Sequence, residues 1–165
     1  MSPELADRFK AAFRHHPAGV ALISADTPDG PVGLTASSVA SVSVAPVALA
    51  FSVTSRTGSA RGILDAESFV VHLLGEHQLE VARAFATPGA PRFTAEQGWS
   101  RMPGGEPWLP DAPFALRCTH LDRIEVGASV LIVAEVHAVA AGEPAGPLAH
   151  RDRAFHRLGE HSLLG

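Results

Sequence analysis

Cysteine is almost absent. Cys118 is the one thiol in 165 residues, so no disulfide forms within the chain and a reducing, cytoplasmic setting is expected. Long apolar runs are missing too, and nothing approaches the ~20 residues of a membrane-crossing helix. No Lys/Arg-rich run occurs, and 13 basic against 17 acidic residues give a net charge of −4, which leaves no basic face for nucleic acid. The opening Met1-Ser2-Pro3-Glu4 lacks the basic-then-apolar pattern of a secretory signal. A G-x-G-x-x-G after a strand is missing, as is a G-x-x-x-x-G-K-S/T, so a Rossmann crevice or a P-loop is not what would hold a nucleotide here. Nine histidines form no H-E-x-x-H and have no carboxylate at ligand spacing on a clear helix, so no metal site is expected.

What is present describes a globular chain. Hydrophobic residues make up 46% and charged residues 18%, enough to bury a core in one domain spanning 1–165. Ser2 is placed to cap a helix with Pro3 in its first turn; Leu5, Phe9, Ala12 and Phe13 share a face, and Pro17 with Gly19 ends it. Val20 to Ser24 and Val32 to Leu34 flank Pro28-Asp29-Gly30-Pro31 as a hairpin with a slightly long loop. Ser38 to Val44 alternates small-polar with apolar, and Val47 to Val53 is a mostly apolar strand. A short helix is expected over Ser59 to Ala66 with Ser59 as cap, then a buried strand over Phe69 to Leu74 and a second amphipathic helix over Glu76 to Ala86. Gly98 to Pro113, rich in Gly and Pro and holding Trp99 and Trp108, reads as a structured loop. Strands over Phe114 to Arg123 and Val130 to Val139 and a turn at Gly142 to Pro147 follow. Short strands without βαβ alternation predict a mainly β, antiparallel barrel with peripheral helices.

Two segments carry the functional signal. Gly33-Leu34-Thr35-Ala36-Ser37-Ser38 and Phe51-Ser52-Val53-Thr54-Ser55-Arg56-Thr57 each end an apolar, β-prone run in hydroxyls and small side chains. Small residues allow close backbone approach, and such donors suit the edge of a planar ring rich in acceptors. Ser55, Arg56 and Thr57 offer hydroxyls and a cation of the kind a phosphate needs.

With Phe13-Arg14-His15-His16-Pro17-Ala18-Gly19-Val20, Phe69-Val70-Val71-His72-Leu73-Leu74, Ala84-Phe85-Ala86, Leu116-Arg117-Cys118, Pro147-Leu148 and Arg153-Ala154-Phe155-His156-Arg157-Leu158, in this order, the chain resembles the flavin reductase-like family of FMN-binding split barrels. The resemblance implies a six-stranded antiparallel Greek-key split barrel that forms a homodimer. It implies NAD(P)H-dependent reduction of FMN or FAD, by NADH or NADPH as co-substrate, with reduced flavin passed to a partner monooxygenase. By the same resemblance Thr35, Ala36, Ser37 and Ser38 meet the isoalloxazine edge. Ser52, Ser55, Arg56 and Thr57 then serve the ribityl chain and phosphate. Phe85 lies near the flavin or packs in the core. His150, Arg151, Arg153 and His156 flank the cleft or form a solvated tail, with Arg153 a cation for the cofactor and His156 a candidate catalytic group.

The chain also departs from the family pattern. Many members carry Gly-Asp-His, its His tied to nicotinamide use, where this chain has Gly127-Ala128-Ser129, and Asn is frequent where His72 stands. Ser129 is the candidate that keeps a hydrogen bond at that position. The loss leaves two alternatives open: a flavin-binding oxidoreductase acting on its own small substrate, and a non-catalytic flavin-binding protein. Cys118 reads as a buried, inert thiol.

Overall fold

Pro3 and Glu4 suit the first turn of a helix, and α1 runs Pro3–His15 in the computed structural model, which describes residues 2–164. Met1 and Gly165, the ends of the expected domain, lie outside the described residues. Ser2 holds the cap position through its carbonyl, which accepts the Leu5 and Ala6 N–H groups; its hydroxyl makes no capping bond, contrary to expectation.

The strands are β1 (Ala18–Gly19), β2 (Ala21–Thr27), β3 (Gly30–Ala36), β4 (Ala40–Val44), β5 (Val47–Val53), β6 (Ser68–Leu73), β7 (Ser100–Arg101), β8 (Pro107–Trp108), β9 (Phe114–Val126), β10 (Ser129–Ala141), β11 (Leu148–Arg151) and β12 (Ala154–Arg157). Helix α2 (Gly58–Asp65) lies between β5 and β6, and α3 (Leu79–Ala86) follows β6 through a 3-10 turn at Glu76–Gln78. Thr57, not Ser59, takes the cap position of α2, two residues earlier than the hydroxyl pattern suggested. The first hairpin is tighter than expected: Thr27 pairs with Gly30 across Pro28-Asp29, and Gly30 at φ 109° makes the reversal.

Seven strands form one antiparallel sheet in the order β3-β2-β6-β9-β10-β5-β4, one more than the six expected. The short edge strand β4 buries almost nothing, because its residues are small or solvent-facing. A second small sheet, β1-β11-β12, gathers the C-terminal hairpin beside the end of α1.

Strand β2 feeds two cores. Ala21, Ile23 and Ala25 join Phe51, Phe69, Ile132 and the inner face of α2 (Ala60, Ile63, Leu64) on one side of the sheet. Leu22, with Val20 just before the strand, joins Ala82, Phe85, Leu109 and Leu148 on the other, under α3 and the 98–113 loop. Burial on both faces explains why β2 is a continuous run and not an alternating one. Cys118 is buried in the first core, and loss of hydration pushes its thiol up to about 12, an inert group as expected.

The 98–113 loop is fastened to the sheet by polar bonds. Ser24 Oγ donates to Pro107 O (2.5 Å), and Arg117 Nε donates to the buried Glu106 carboxylate (2.6 Å), which also accepts from Ser68. His72 is the central clamp: its Nδ1–H donates to Leu22 O (2.9 Å) and its Nε2 accepts the Leu109 N–H (3.1 Å). Both ring nitrogens are thus used by a neutral imidazole, and burial lowers its pKa to about 4, partly offset by the Leu22 bond.

A proton on Nε2 would displace the Leu109 bond, so the unfolded chain takes up that proton first as acid is added. The stabilisation tied to neutral His72 is complete above pH 6.5 and is lost as pH falls toward about 4, at up to ~1.4 kcal/mol per pH unit. Burial also lowers the His120 pKa, which adds in the same direction. In urea titrations at pH 7, 6 and 5, H72N is expected to show a shallower fall in stability than the parent. Equal slopes would assign the acid sensitivity to other groups.

Candidate functional site

The sheet curls until the end of β3 meets β5. Strand β4 pairs with β5 only as far as Ala50, opposite Ala40, which leaves Phe51–Val53 without a strand on that side. Ser38 fills the gap: its Oγ accepts the Ser52 N–H (2.9 Å) and approaches Ser52 O (3.4 Å). This bond pulls residues 38 and 39 out of the sheet, so β4 starts at Ala40 and not at Ser38 as the alternation predicted. Since β3 is an edge strand, its outward backbone groups at Leu34–Ala36 face the seam unpaired by any strand.

Ser37 is the ridge where three depressions meet. One of about 310 Å³ runs between Leu34–Ser38 and Ser52–Ser55. A second, about 640 Å³, extends from Ser37, Ser38 and Ser52 to His16, Ala18 and His150. A third, about 140 Å³, lies behind Thr35–Ser37 against Ala86, His150 and Phe155. Thr35, Ala36, Ser37, Ser38, Ser52 and Ser55 are thereby brought to one cleft, although they come from two separate stretches of sequence.

The first depression leads to the start of α2. Ser55 Oγ and Thr57 Oγ1 lie 2.9 Å apart, and Ser55 Oγ accepts the Thr57 N–H (3.2 Å), which shapes the turn before the helix. The first-turn N–H groups of α2 and these hydroxyls make an anion-favouring corner. Arg56 is the local cation, held by Glu125 at 3.0 Å and donating to Gly127 O at 3.4 Å, with its side chain 41% exposed. Ser129 opens β10 one residue before the Val130–Val53 pair, beside the Gly127 carbonyl that Arg56 bonds; Arg56, Thr57 and Ser129 line none of the three depressions.

Other expected residues sit elsewhere. Phe85 is buried in an aromatic cluster with Phe93 and Trp99, ring centroids 5.0 and 5.6 Å away, with the Arg92 guanidinium over its ring at 5.3 Å. The amphipathic face of α3 turns it inward, and Ala86 at the helix end lines the cleft instead. In the C-terminal hairpin His150 and Phe155 are a cross-strand pair, 5.4 Å between rings, and point to the cleft. Strand alternation puts His156, opposite Ala149, on the other face, where it is exposed and bonded to Arg151 O (3.3 Å). Arg153 is an exposed turn residue at φ 63°. Neither lines the three depressions, and His156 is not brought to Ser129 within them. Phe155 and Ala86 were missed as wall residues; the two-residue period of the hairpin was the signal for Phe155. Among the described residues no group of three His, Cys, Asp or Glu is placed to hold a metal.

The model of the flavin reductase like domain matches residues 13–159, from the end of α1 through the C-terminal hairpin. The chain belongs to this family. An NADH:FMN oxidoreductase of Rhodococcus erythropolis is 38% identical, over 94% of this chain and 86% of the relative. The reductase component of a 4-nitrophenol 4-monooxygenase/4-nitrocatechol 2-monooxygenase of Rhodococcus opacus is 34% identical over 81% and 73%. The crystal structure of a flavin reductase domain protein from Arthrobacter sp. FB24 superposes with a TM-score of 0.86 at 32% identity, covering 93% of this chain and 96% of the other. In this flavin reductase-like domain the segments Thr35–Ser38 and Ser52–Ser55 are the two lips of one seam.

Because the Ser38 hydroxyl is spent on Ser52, Ser38→Ala is expected to lower stability by about 1 kcal/mol in urea unfolding. Ser37→Ala, at an exposed neighbour, is expected to change it by less than ~0.5 kcal/mol. Equal effects would remove the Ser38 bond from its place as the seam's fastening.

Proposed function

We propose that the protein uses NADH or NADPH to reduce FMN or FAD and releases the reduced flavin to a partner monooxygenase. The observation that carries this reading is the seam itself: two hydroxyl-rich lips facing each other, with an anion-favouring helix start at one end and a small ring-sized pocket at the other. Oxidoreductases of this kind among the relatives, one of them the reductase component of a monooxygenase, support the same reaction here.

The residues fit a flavin mononucleotide. Thr35 and Ser37, with the outward backbone of β3, border the ring, while Ser38 holds the lips together. Ser55, Thr57 and the α2 N–H groups would hold the phosphate, with the Arg56 guanidinium, 3.0 Å from Glu125, as the nearby cation. A bound flavin would supply a hydride acceptor at N5 for a nicotinamide donor. Donors along the pyrimidine side of the ring favour the negative charge that reduction adds, so Thr35 and Ser37 influence redox behaviour as well as affinity. Orientation of two planar rings is the main requirement of such a transfer, so Gly127-Ala128-Ser129 is tolerable without a side-chain base at that turn. Ser37, Ser38, Ser55, Arg56 and Thr57 are all exposed, which suits a flavin that enters and leaves.

The same reading includes a single domain in the cytoplasm, the sheet closed as a six-stranded Greek-key split barrel with β4 as an appendage, and a homodimer. Leu5, Phe9 and Phe13 on α1 are 61–63% exposed, and Val42 and Val44 on β4 with Leu121, Ile124 and Val126 on β9 add further exposed apolar surface. Patches of that sort favour a partner copy.

Anaerobic mixing of the protein with FMN or FAD and NADH or NADPH is expected to bleach the flavin absorbance rapidly and in proportion to protein. Bleaching no faster than without protein would overturn the reductase reading. Thr35→Val is expected to weaken FMN binding about fivefold, one hydrogen bond's worth. Arg56→Gln should weaken FMN while leaving riboflavin, which has no phosphate, unaffected; a parallel loss for both would move the phosphate away from Arg56.

A further inference from the structure

The start of α2 meets the tip of the β9–β10 hairpin. That hairpin reverses at Gly127-Ala128, with Gly127 at φ 60° and Val126 opposite Ser129, which sets Glu125 opposite Val130. Val130 pairs in turn with Val53, and both valines face the core that also receives Ala60 and Ile63 of α2. Residues directly opposite one another share a face of the sheet, so Glu125 stands on the side where α2 begins. There its carboxylate meets the Arg56 guanidinium at 3.0 Å, and Gly127 O accepts from the same group at 3.4 Å. Arg56 follows Ser55, a wall residue of the depression between the lips, and precedes Thr57 at the cap of α2. Its own side chain nevertheless lines none of the three depressions. The hairpin tip thus holds the cation of this corner outside the cleft it borders.

We infer that Glu125 is a specificity-determining residue: it competes with the flavin phosphate for Arg56 and so limits the preference of the site for FMN over riboflavin. This rests on the phosphate placement proposed above. A phosphate monoester carries roughly two negative charges at neutral pH, and it pairs best with a guanidinium that no other anion occupies. While Glu125 stands beside Arg56 the two charges cancel, and the corner is left to attract a phosphate through the Ser55 and Thr57 hydroxyls and the α2 N–H groups. The Arg56 and Glu125 side chains are 41% and 69% exposed, so their pair is weak enough for a phosphate to contest. A flavin that is handed on in reduced form must leave as well as bind. A carboxylate fixed beside the phosphate's cation keeps its affinity moderate.

The test compares the dissociation constants of FMN and riboflavin, by equilibrium dialysis, in the parent, Glu125→Gln, Arg56→Gln and the double variant. Glu125→Gln is expected to tighten FMN about threefold to fivefold and to leave riboflavin within about 1.5-fold. Its FMN affinity should also fall more steeply with added salt than the parent's, because Arg56 then acts with its full charge. In the Arg56→Gln background the same change at Glu125 should bring less than half of that gain. Unchanged FMN affinity in Glu125→Gln, or an equal gain for riboflavin, would overturn the assignment. So would an undiminished gain in the Arg56→Gln background, since Glu125 would then act on the phosphate directly and not through Arg56. In each of these cases a selective loss of FMN in Arg56→Gln leaves the phosphate placement standing. If Arg56→Gln weakens FMN and riboflavin alike, or neither, the placement fails and the inference falls with it. A parent that binds FMN but does not oxidise NADH would sink the reductase reading alone, because each quantity compared here is a binding constant.

Discussion

The site depends on a seam in the sheet. An antiparallel sheet that curls on itself must bring an edge strand near a strand whose hydrogen bonds are incomplete, and here β4 stops pairing at Ala50 while β3 ends at Ala36. A backbone N–H left open at Ser52 would be costly where the sheet is half-buried, and Ser38 answers it with a side-chain oxygen. Because that bond is made by a loop and not by a strand, the edge of β3 stays open. The hydroxyls around it face a groove and not a neighbouring ladder. The same feature that completes the fold therefore leaves the donors a nucleotide cofactor needs.

The opposite face of the sheet is built for rigidity. The 98–113 loop has little regular structure, yet Ser24, His72, Arg117 and Ser68 bind it at three residues, Pro107, Leu109 and Glu106, and Trp99 closes over Phe85 and Phe93. Phe85, pressed against Gly33 where a Cβ would come within 2.6 Å of its ring, locks α3 to β3. That packing fixes the strip Leu34–Ala36 from behind, so the open edge of the seam is held by a wall that does not yield. A cleft that must align two planar rings gains from this arrangement, since its orienting groups sit on strands and its mobile requirement, exchange of the flavin, falls on the exposed side.

Much of this was legible in the residues. Periodicity located the helices and most strands. The hydroxyl-rich ends at Thr35–Ser38 and Ser52–Thr57 marked the two lips before their meeting was visible, because hydroxyls and small residues at strand ends carry the same chemistry wherever the chain folds. The amphipathic pattern of α3 already contained the packing of Phe85, and the inertness of Cys118 followed from its apolar strand.

Tertiary structure alone decided what those residues face. His72 reads in sequence as an unusual polar residue in a buried strand; only the approach of Leu22 O and the Leu109 N–H from distant segments makes it a neutral clamp. His150, His156 and Arg153 are chemically similar neighbours along the chain. The register of a hairpin with a two-residue turn sends the first to the cleft and the others to solvent. Arg56 is a free cation in the sequence and a partner of Glu125 in the fold. Local composition determines which chemistry a segment can offer, since that is a property of side chains. Register, curvature and the closing of a seam depend on contacts far apart in the chain, and these select which of the offered groups share a site.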